Sequence, residues 1–248
     1  MTGLGGFGGF GGFPPPRRNG LAGLLTDGME PQPRNLLGDL LTERLEPPRV
    51  RRVFFSFHYQ RDIRRVFQVR NQWVTKPDRK AAGYFDGSLT EKAKTEGAAV
   101  VKRLINGGLA GSSVTCVLVG YQTFSRHWVR YEIFKSLEQG MGLFGVRIHG
   151  LPDMHHGVDI MGPNPFDYLA LAPNLFAPEK LTPYEWNGYE WVRYEDADLI
   201  PKSAHPLLRL DQPVQLSKLF PLYDWVLGRG KDNFSTWVHW AATAAGRT

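Results

Sequence analysis

One cysteine in 248 residues, Cys116, excludes a disulfide framework and any cysteine-built zinc site. No run approaches the roughly 18 consecutive apolar residues that a membrane helix needs. The opening Met1-Thr2-Gly3 leads into glycine, with neither a basic stretch nor an apolar one behind it. A secretion signal is therefore not expected, and a soluble cytoplasmic setting is. Several common catalytic motifs are missing as well. There is no G-x-x-x-x-G-K-[ST] phosphate loop, no G-x-G-x-x-G turn after the first strand and no G-x-S-x-G elbow. The seven histidines form no H-E-x-x-H, and His155-His156 stands in a Pro/Gly-flanked loop without a paired carboxylate. Neither a metal nor a bound cofactor is expected from such a set.

What is present is unevenly charged. The formal net charge of +6 arises from a neutral segment 1–50, a block 51–150 with 17 basic and 7 acidic residues, and a segment 151–248 with 8 and 12. A basic middle block suits an anionic partner, either nucleic acid or a nucleotide carrying a pyrophosphate, and is equally consistent with a solvated basic surface.

Residues 1–50 read as a Gly/Pro/Phe-rich flexible tail. They hold 11 of the 28 glycines and 7 of the 18 prolines, including three Gly-Gly-Phe repeats and Pro14-Pro15-Pro16. Such a composition buries too little apolar surface to offset a backbone entropy cost of about 1–2 kcal/mol per residue. Leu36, Leu37, Leu40 and Leu41 allow a short helical patch there, and the Phe-Gly repeat allows a docking or self-assembly segment instead.

Structure is expected from Arg52 onward. Val53-Phe54-Phe55-Ser56-Phe57 is a buried-type strand. Ile63, Val66, Phe67 and Trp73 predict an amphipathic helix, and a loop follows over Lys76–Ser88. Ala93 to Ile105 predict a second helix, stopped at Gly107-Gly108. Val114–Val119 is the clearest central strand. Ser125 is expected to cap a third helix bearing Val129, Ile133 and Leu137 and ending near Gly140, with a further strand over Leu143–Ile148. Strands alternating with helices at this spacing predict an α/β, doubly wound parallel sheet. The part from about 151 to 248 reads as an extension of the same domain: a rigid turn at Gly162–Asp167, a two-residue hairpin at Asn187-Gly188, a helix over Leu216–Leu227 and an apolar stretch Trp237–Ala245.

In an open parallel sheet, ligands bind beyond the carboxyl ends of the strands. That rule singles out Ser56 and His58 after the first strand, Gly120–Ser125 after the central one, and Asp86 in the long loop. Glu132, two turns into the third helix, is off the face of Val129, Ile133 and Leu137. It is either a carboxylate facing a cleft, able to hold sugar hydroxyls and stabilise an oxocarbenium-like transition state, or an ordinary exposed helix residue.

Three groups of residues carry a family resemblance. Arg52–Tyr59 resembles the opening motif of TIR-type domains, an apolar strand ending in a serine and an aromatic. Trp128-Val129-Arg130-Tyr131-Glu132 resembles the TIR helix motif of a tryptophan followed four residues later by the catalytic glutamate. Phe85–Leu89, Ser113–Gly120, Gly162–Tyr168 and Tyr223–Val226 resemble a narrower group, the ThsB TIR-like domain of the bacterial Thoeris antiphage system. The likeness spans roughly 52–240 and leaves out the Phe-Gly tail.

The resemblance implies a flavodoxin-like fold with a C-terminal hairpin and helix extension. It implies an NAD nucleosidase/ADP-ribosyl cyclase that breaks the nicotinamide–ribose bond and makes a cyclic ADP-ribose-type signal for a separate effector, with NAD as substrate rather than cofactor. Glu132 matches the catalytic glutamate. Ser56, Phe57, Asp86, Trp128 and Asn164 match positions expected to bind substrate. A phage-derived trigger and self-association are compatible with it. The general TIR loop with Arg-Asp and Pro-Gly has no clear counterpart here. Two rival readings stand beside this one: a TIR-type interaction module without turnover, and, behind it, a nucleic-acid binder using the basic block, for which no recognition helix or aromatic stacking motif is present.

Overall fold

The computed structural model describes residues 51–74, 79–81, 97–154 and 157–247. The tail, Asp86 and His155-His156 lie outside the described residues.

Strand β1 (Arg51–Phe57) is followed by helix α1 (Tyr59–Val74), strand β2 (Arg79–Ala81), helix α2 (Ala98–Leu109), strand β3 (Val114–Val119), helix α3 (His127–Glu138) and strand β4 (Gly142–Arg147). The fifth strand of this sheet, β10 (Leu222–Asp224), comes from far along the chain and precedes the last helix, α4 (Gly230–Ala244). All four pairings are parallel and the order is β2-β1-β3-β4-β10, the flavodoxin-like arrangement.

All six residues of β3 are buried, as are Val53–Ser56 of β1, which fits strands covered on both faces. Side-chain alternation divides these residues between two cores. Val53, Phe55, Cys116, Leu118, Phe144 and Val146 pack against α1 and α4 through Val66, Trp73, Phe234 and Trp237. Phe54, Val117 and Val119 point to the other face and meet α2 and α3 through Val101, Ile105, Ile133 and Leu137. Ser56 shares the parity of Phe54, so its hydroxyl is aimed at α3.

Between β4 and β10 the chain forms a second, antiparallel sheet of β5 (Leu169–Pro173), β6 (Lys180–Trp186), β7 (Trp191–Arg193) and β9 (Val214–Gln215), in the order β7-β6-β5-β9. The short β8 (Ile200–Pro201) pairs with β6. Leu169, Leu171, Leu181 and Ile200 join the α2/α3 core, so this sheet builds on the same domain.

Four local expectations are corrected. Leu216–Leu227 is not helical: a 3-10 turn covers Leu216–Lys218 and β10 follows. Pro221 interrupts the helical pattern, and Tyr223 instead stacks on Trp237 with ring centroids 4.4 Å apart. The hairpin closes at Trp186↔Trp191, leaving four loop residues rather than two. Asn187 Oδ1 accepts the amides of Tyr189 and Glu190 at 2.9 and 3.0 Å, a side-chain-built turn. Helix α2 runs through Gly107-Gly108 and ends at Leu109, and Gly111, two residues on, has a φ of +73° that suits the chain reversal after a helix. Ser125 lies in a 3-10 turn, Thr123–Ser125, and donates to the Gln122 carbonyl; α3 starts two residues later at His127.

Candidate active site

Helix α3 packs across β1 and β3, and a short chain of hydroxyls fixes its rotation. Thr115 Oγ1 on β3 and Ser136 Oγ on α3 lie 2.7 Å apart, and Ser136 Oγ donates to the Glu132 carbonyl at 2.6 Å. One turn earlier on the helix, the Glu132 carboxylate accepts the hydroxyl of Ser56. All four side chains are buried: Ser56, Thr115 and Ser136 have no exposed surface and Glu132 keeps 5%. The parity of β1 and the pinned rotation of α3 thus bring together residues 76 positions apart in sequence.

Burial raises the Glu132 pKa from its ordinary 4.5 to about 8, against the opposing effect of the Ser56 hydroxyl donating to it. The carboxyl is therefore largely protonated at neutral pH in the free protein. A cationic ligand beside it would favour the ionised form.

Of the other residues singled out from sequence, Phe57 has the opposite parity to Ser56 and packs, half-buried, with the α1/α4 core, its ring stacked on Tyr59 at 6.3 Å. Trp128 is half-buried one turn before Glu132, edge-on to Tyr131 at 6.0 Å. Asn164 Oδ1 accepts the Phe166 amide at 3.1 Å and so caps the 3-10 turn Pro165–Tyr168. The structure brings Ser56 and Glu132 into direct contact. It gives Asn164 a structural partner within its own turn.

Sequence reasoning missed a network of charges at the same edge of the sheet. Asp62 and Arg65, on the first turns of α1, are 1% and 2% exposed and lie 3.7 Å apart. Arg65 donates to the carbonyls of Leu151 and Gly157, both at 2.9 Å, and Arg61 grips Asp159 with two bonds of 2.7 Å. Together they fasten the segment after β4 to α1. Asp62 packs so closely on Gly120 at the end of β3 that any side chain at 120 would collide with its carboxylate. Burial raises Asp62 to about 6, with Arg65 opposing, whereas the Arg61 hydrogen bonds hold Asp159 at about 2. Charged residues on an amphipathic helix look like a solvated face in sequence; only the glycine at the strand end hinted at a close approach.

A parallel flavodoxin-like sheet with a buried serine–glutamate pair at its carboxyl edge defines a TIR-like α/β domain. A family model described as "Thoeris protein ThsB, TIR-like domain" matches residues 54–153. A curated protein of Bacillus cereus (strain MSX-D12), named "Putative cyclic ADP-D-ribose synthase ThsB1", is 47% identical over 193 residues, covering 76% of this chain and 99% of that protein. The chain belongs to the ThsB family of TIR-like Thoeris proteins. No helix among the described residues is long and apolar enough to cross a membrane.

Proposed function

We propose that this protein cleaves NAD at the nicotinamide–ribose bond and closes the ADP-ribose part into a cyclic nucleotide, a signal for a separate effector in antiphage defence. The observation that carries the reading is the buried Ser56–Glu132 pair at the carboxyl edge of the sheet, supported by the 47% identity to a relative named for cyclic ADP-ribose synthesis.

The chemistry asks little of the protein beyond charge and shape. When the bond from C1′ of the ribose to the pyridinium nitrogen breaks, its electron pair leaves with nicotinamide, which departs neutral. No general acid is needed, and positive charge grows on C1′. An ionised Glu132 accepts the ribose hydroxyls and opposes that charge. Ser56 keeps the carboxylate oriented and eases its ionisation. With water excluded, a nucleophilic nitrogen or hydroxyl of the same molecule donates its electron pair to C1′ and closes the ring, and any proton it then sheds passes to the Glu132 carboxylate. Trp128 walls the ribose from α3, Phe57 borders the site from the end of β1 on the α1 side, Asp86 and Asn164 add polar contacts, and self-association or a phage-derived trigger opens the site.

A second reading has its own observation. Glu132 is 95% buried and already has a partner, as expected for a structural carboxyl in an interaction module without turnover. Incubation with NAD separates the two: release of nicotinamide together with a cyclic nucleotide is expected. Survival of the protein's defence function with Glu132 neutralised would favour the interaction module.

A further inference from the structure

Two nitrogens at the carboxyl edge of the sheet have no hydrogen-bond partner among the described residues, although both atoms are shut off from solvent: His58 Nδ1 and the Arg126 Nε donor. Leaving a buried donor unsatisfied costs about 1–3 kcal/mol, so the Arg126 Nε–H calls for a missing acceptor, and His58 Nδ1 becomes a second donor to the same acceptor when the imidazole is protonated. They belong to one neighbourhood. Burial first, and then the positive fields of Arg126 and Arg61, lower the His58 pKa to about 4. Arg126 is half-buried and uses Nη2 on the Gln122 side chain, while Arg61 is committed to Asp159 and covers the Tyr121 ring at 5.1 Å. Of the acids nearby, Asp159 is hydrogen-bonded by Arg61, while Asp62 lies 3.7 Å from Arg65 with neither carboxylate oxygen hydrogen-bonded among the described residues. Arg126 immediately precedes α3, whose first amides have no side-chain cap, so the positive helix end adds to the same field.

The position of this cluster matches its chemistry. His58 follows Ser56 by two residues, and Arg126 precedes Glu132 by six, about 9 Å along the helix. In a dinucleotide, a pyrophosphate stands one methylene beyond the ribose that would meet Glu132. We infer that His58 and Arg126 form an anion subsite that takes the pyrophosphate bridge of the nucleotide, next to the Ser56–Glu132 pair. The identity of the bridge rests on the NAD reading; the anion site rests on the unpartnered nitrogens.

Inorganic pyrophosphate titrated into the full chain tests this without turnover, with affinity read by calorimetry and the His58 imidazole followed by NMR. Binding is expected to perturb the His58 signals and to raise its pKa from about 4, since a neighbouring anion favours the imidazolium. Arg126→Gln should weaken pyrophosphate and ADP-ribose on the order of tenfold, the scale of one lost charge-assisted bond. Arg126→Lys should restore part of that loss, which an unfolded or distorted protein could not do. Arg229→Gln, an exposed arginine paired with Asp232 on α4, should change nothing. An unperturbed His58, wild-type affinity in Arg126→Gln, or an equal loss in Arg229→Gln would overturn the subsite. A protein that binds pyrophosphate at His58 yet releases no nicotinamide from NAD would count against the proposed function alone.

Discussion

The two faces of the parallel sheet are built from the same strands and differ in kind. On the α1/α4 face, Phe55, Trp73, Phe144, Trp225 and Trp237 surround Phe234, whose ring centroid lies 5.3–6.4 Å from these five aromatic neighbours. On the α2/α3 face, aliphatic residues together with Phe54, Phe134 and Tyr194 enclose buried hydroxyls: Thr115 and Ser136 lead to the Glu132 backbone carbonyl, and Ser56 donates to its carboxylate. Hydrophobic burial at about 25 cal/mol per Å² stabilises the first face without specifying any chemistry. The second tolerates a buried ionisable group because its backbone and side chains are hydrogen-bonded. The lesson is a division of labour across one sheet: α1/α4 supplies stability, and α2/α3 gives up some stability to hold Glu132.

The largest expected effect lies on the α1/α4 face. Phe234→Ala should cost about 3–5 kcal/mol in chemical denaturation, and the turnover of each folded molecule should stay near wild type. A selective loss of turnover at unchanged stability would break the division.

Glu132→Gln should show the opposite sign at alkaline pH. The carboxyl has an ordinary pKa of 4.5 when unfolded and about 8 in the folded protein, so between those values the folded state binds the extra proton. Stability contributed at this site therefore falls as pH rises through that window, and the penalty is complete above about 8. The amide cannot ionise. Its melting temperature should exceed wild type above pH 8, and the difference should shrink toward pH 5. Parallel melting curves across the whole range would mean that Glu132 is not held in a dry site.

Ser56→Ala removes the donor that eases ionisation of Glu132. The rise of NAD cleavage with pH should move to more alkaline values, which a pH–rate profile reads directly. An unshifted profile would uncouple Ser56 from the carboxyl.

Cys116→Ser is the mildest change, in a fully buried strand position on the α1/α4 face. A hydroxyl without a partner there should cost about 1–3 kcal/mol in thermal or chemical unfolding and leave the chemistry intact. Lost turnover at unchanged melting temperature would place this strand position in the site.

The sequence announces those parts of the fold that rest on repeated apolar signals. Strands β1, β3 and β4 read as apolar runs because both their faces are covered, and α1 and α3 read from their helical stripes. Ser56 and Glu132 stand out through the motifs around them, while their contact depends on strand parity and helix rotation, which no local pattern carries. Strand β10 is only three residues long, and its flanking leucines mimic a helix; it becomes a strand because β4 offers an unpaired edge. Asp62, Arg65 and Arg126 look like any solvated charges, since their burial is imposed by segments that arrive from 90 residues away or from the neighbouring turn.

The buried carboxyl on the α2/α3 face is the group proposed to drive cleavage of the glycosidic bond of NAD. Nicotinamide release by Glu132→Gln, measured beside wild type and Glu138→Gln under conditions that activate the parent, tests this role most directly. Glu138 is paired with Lys135 at 2.8 Å near the end of the same helix, so its amide variant should stay close to wild type. A folded Glu132→Gln protein should lose on the order of 10²–10³ in rate and make no cyclic product; wild-type release from it would contradict the account.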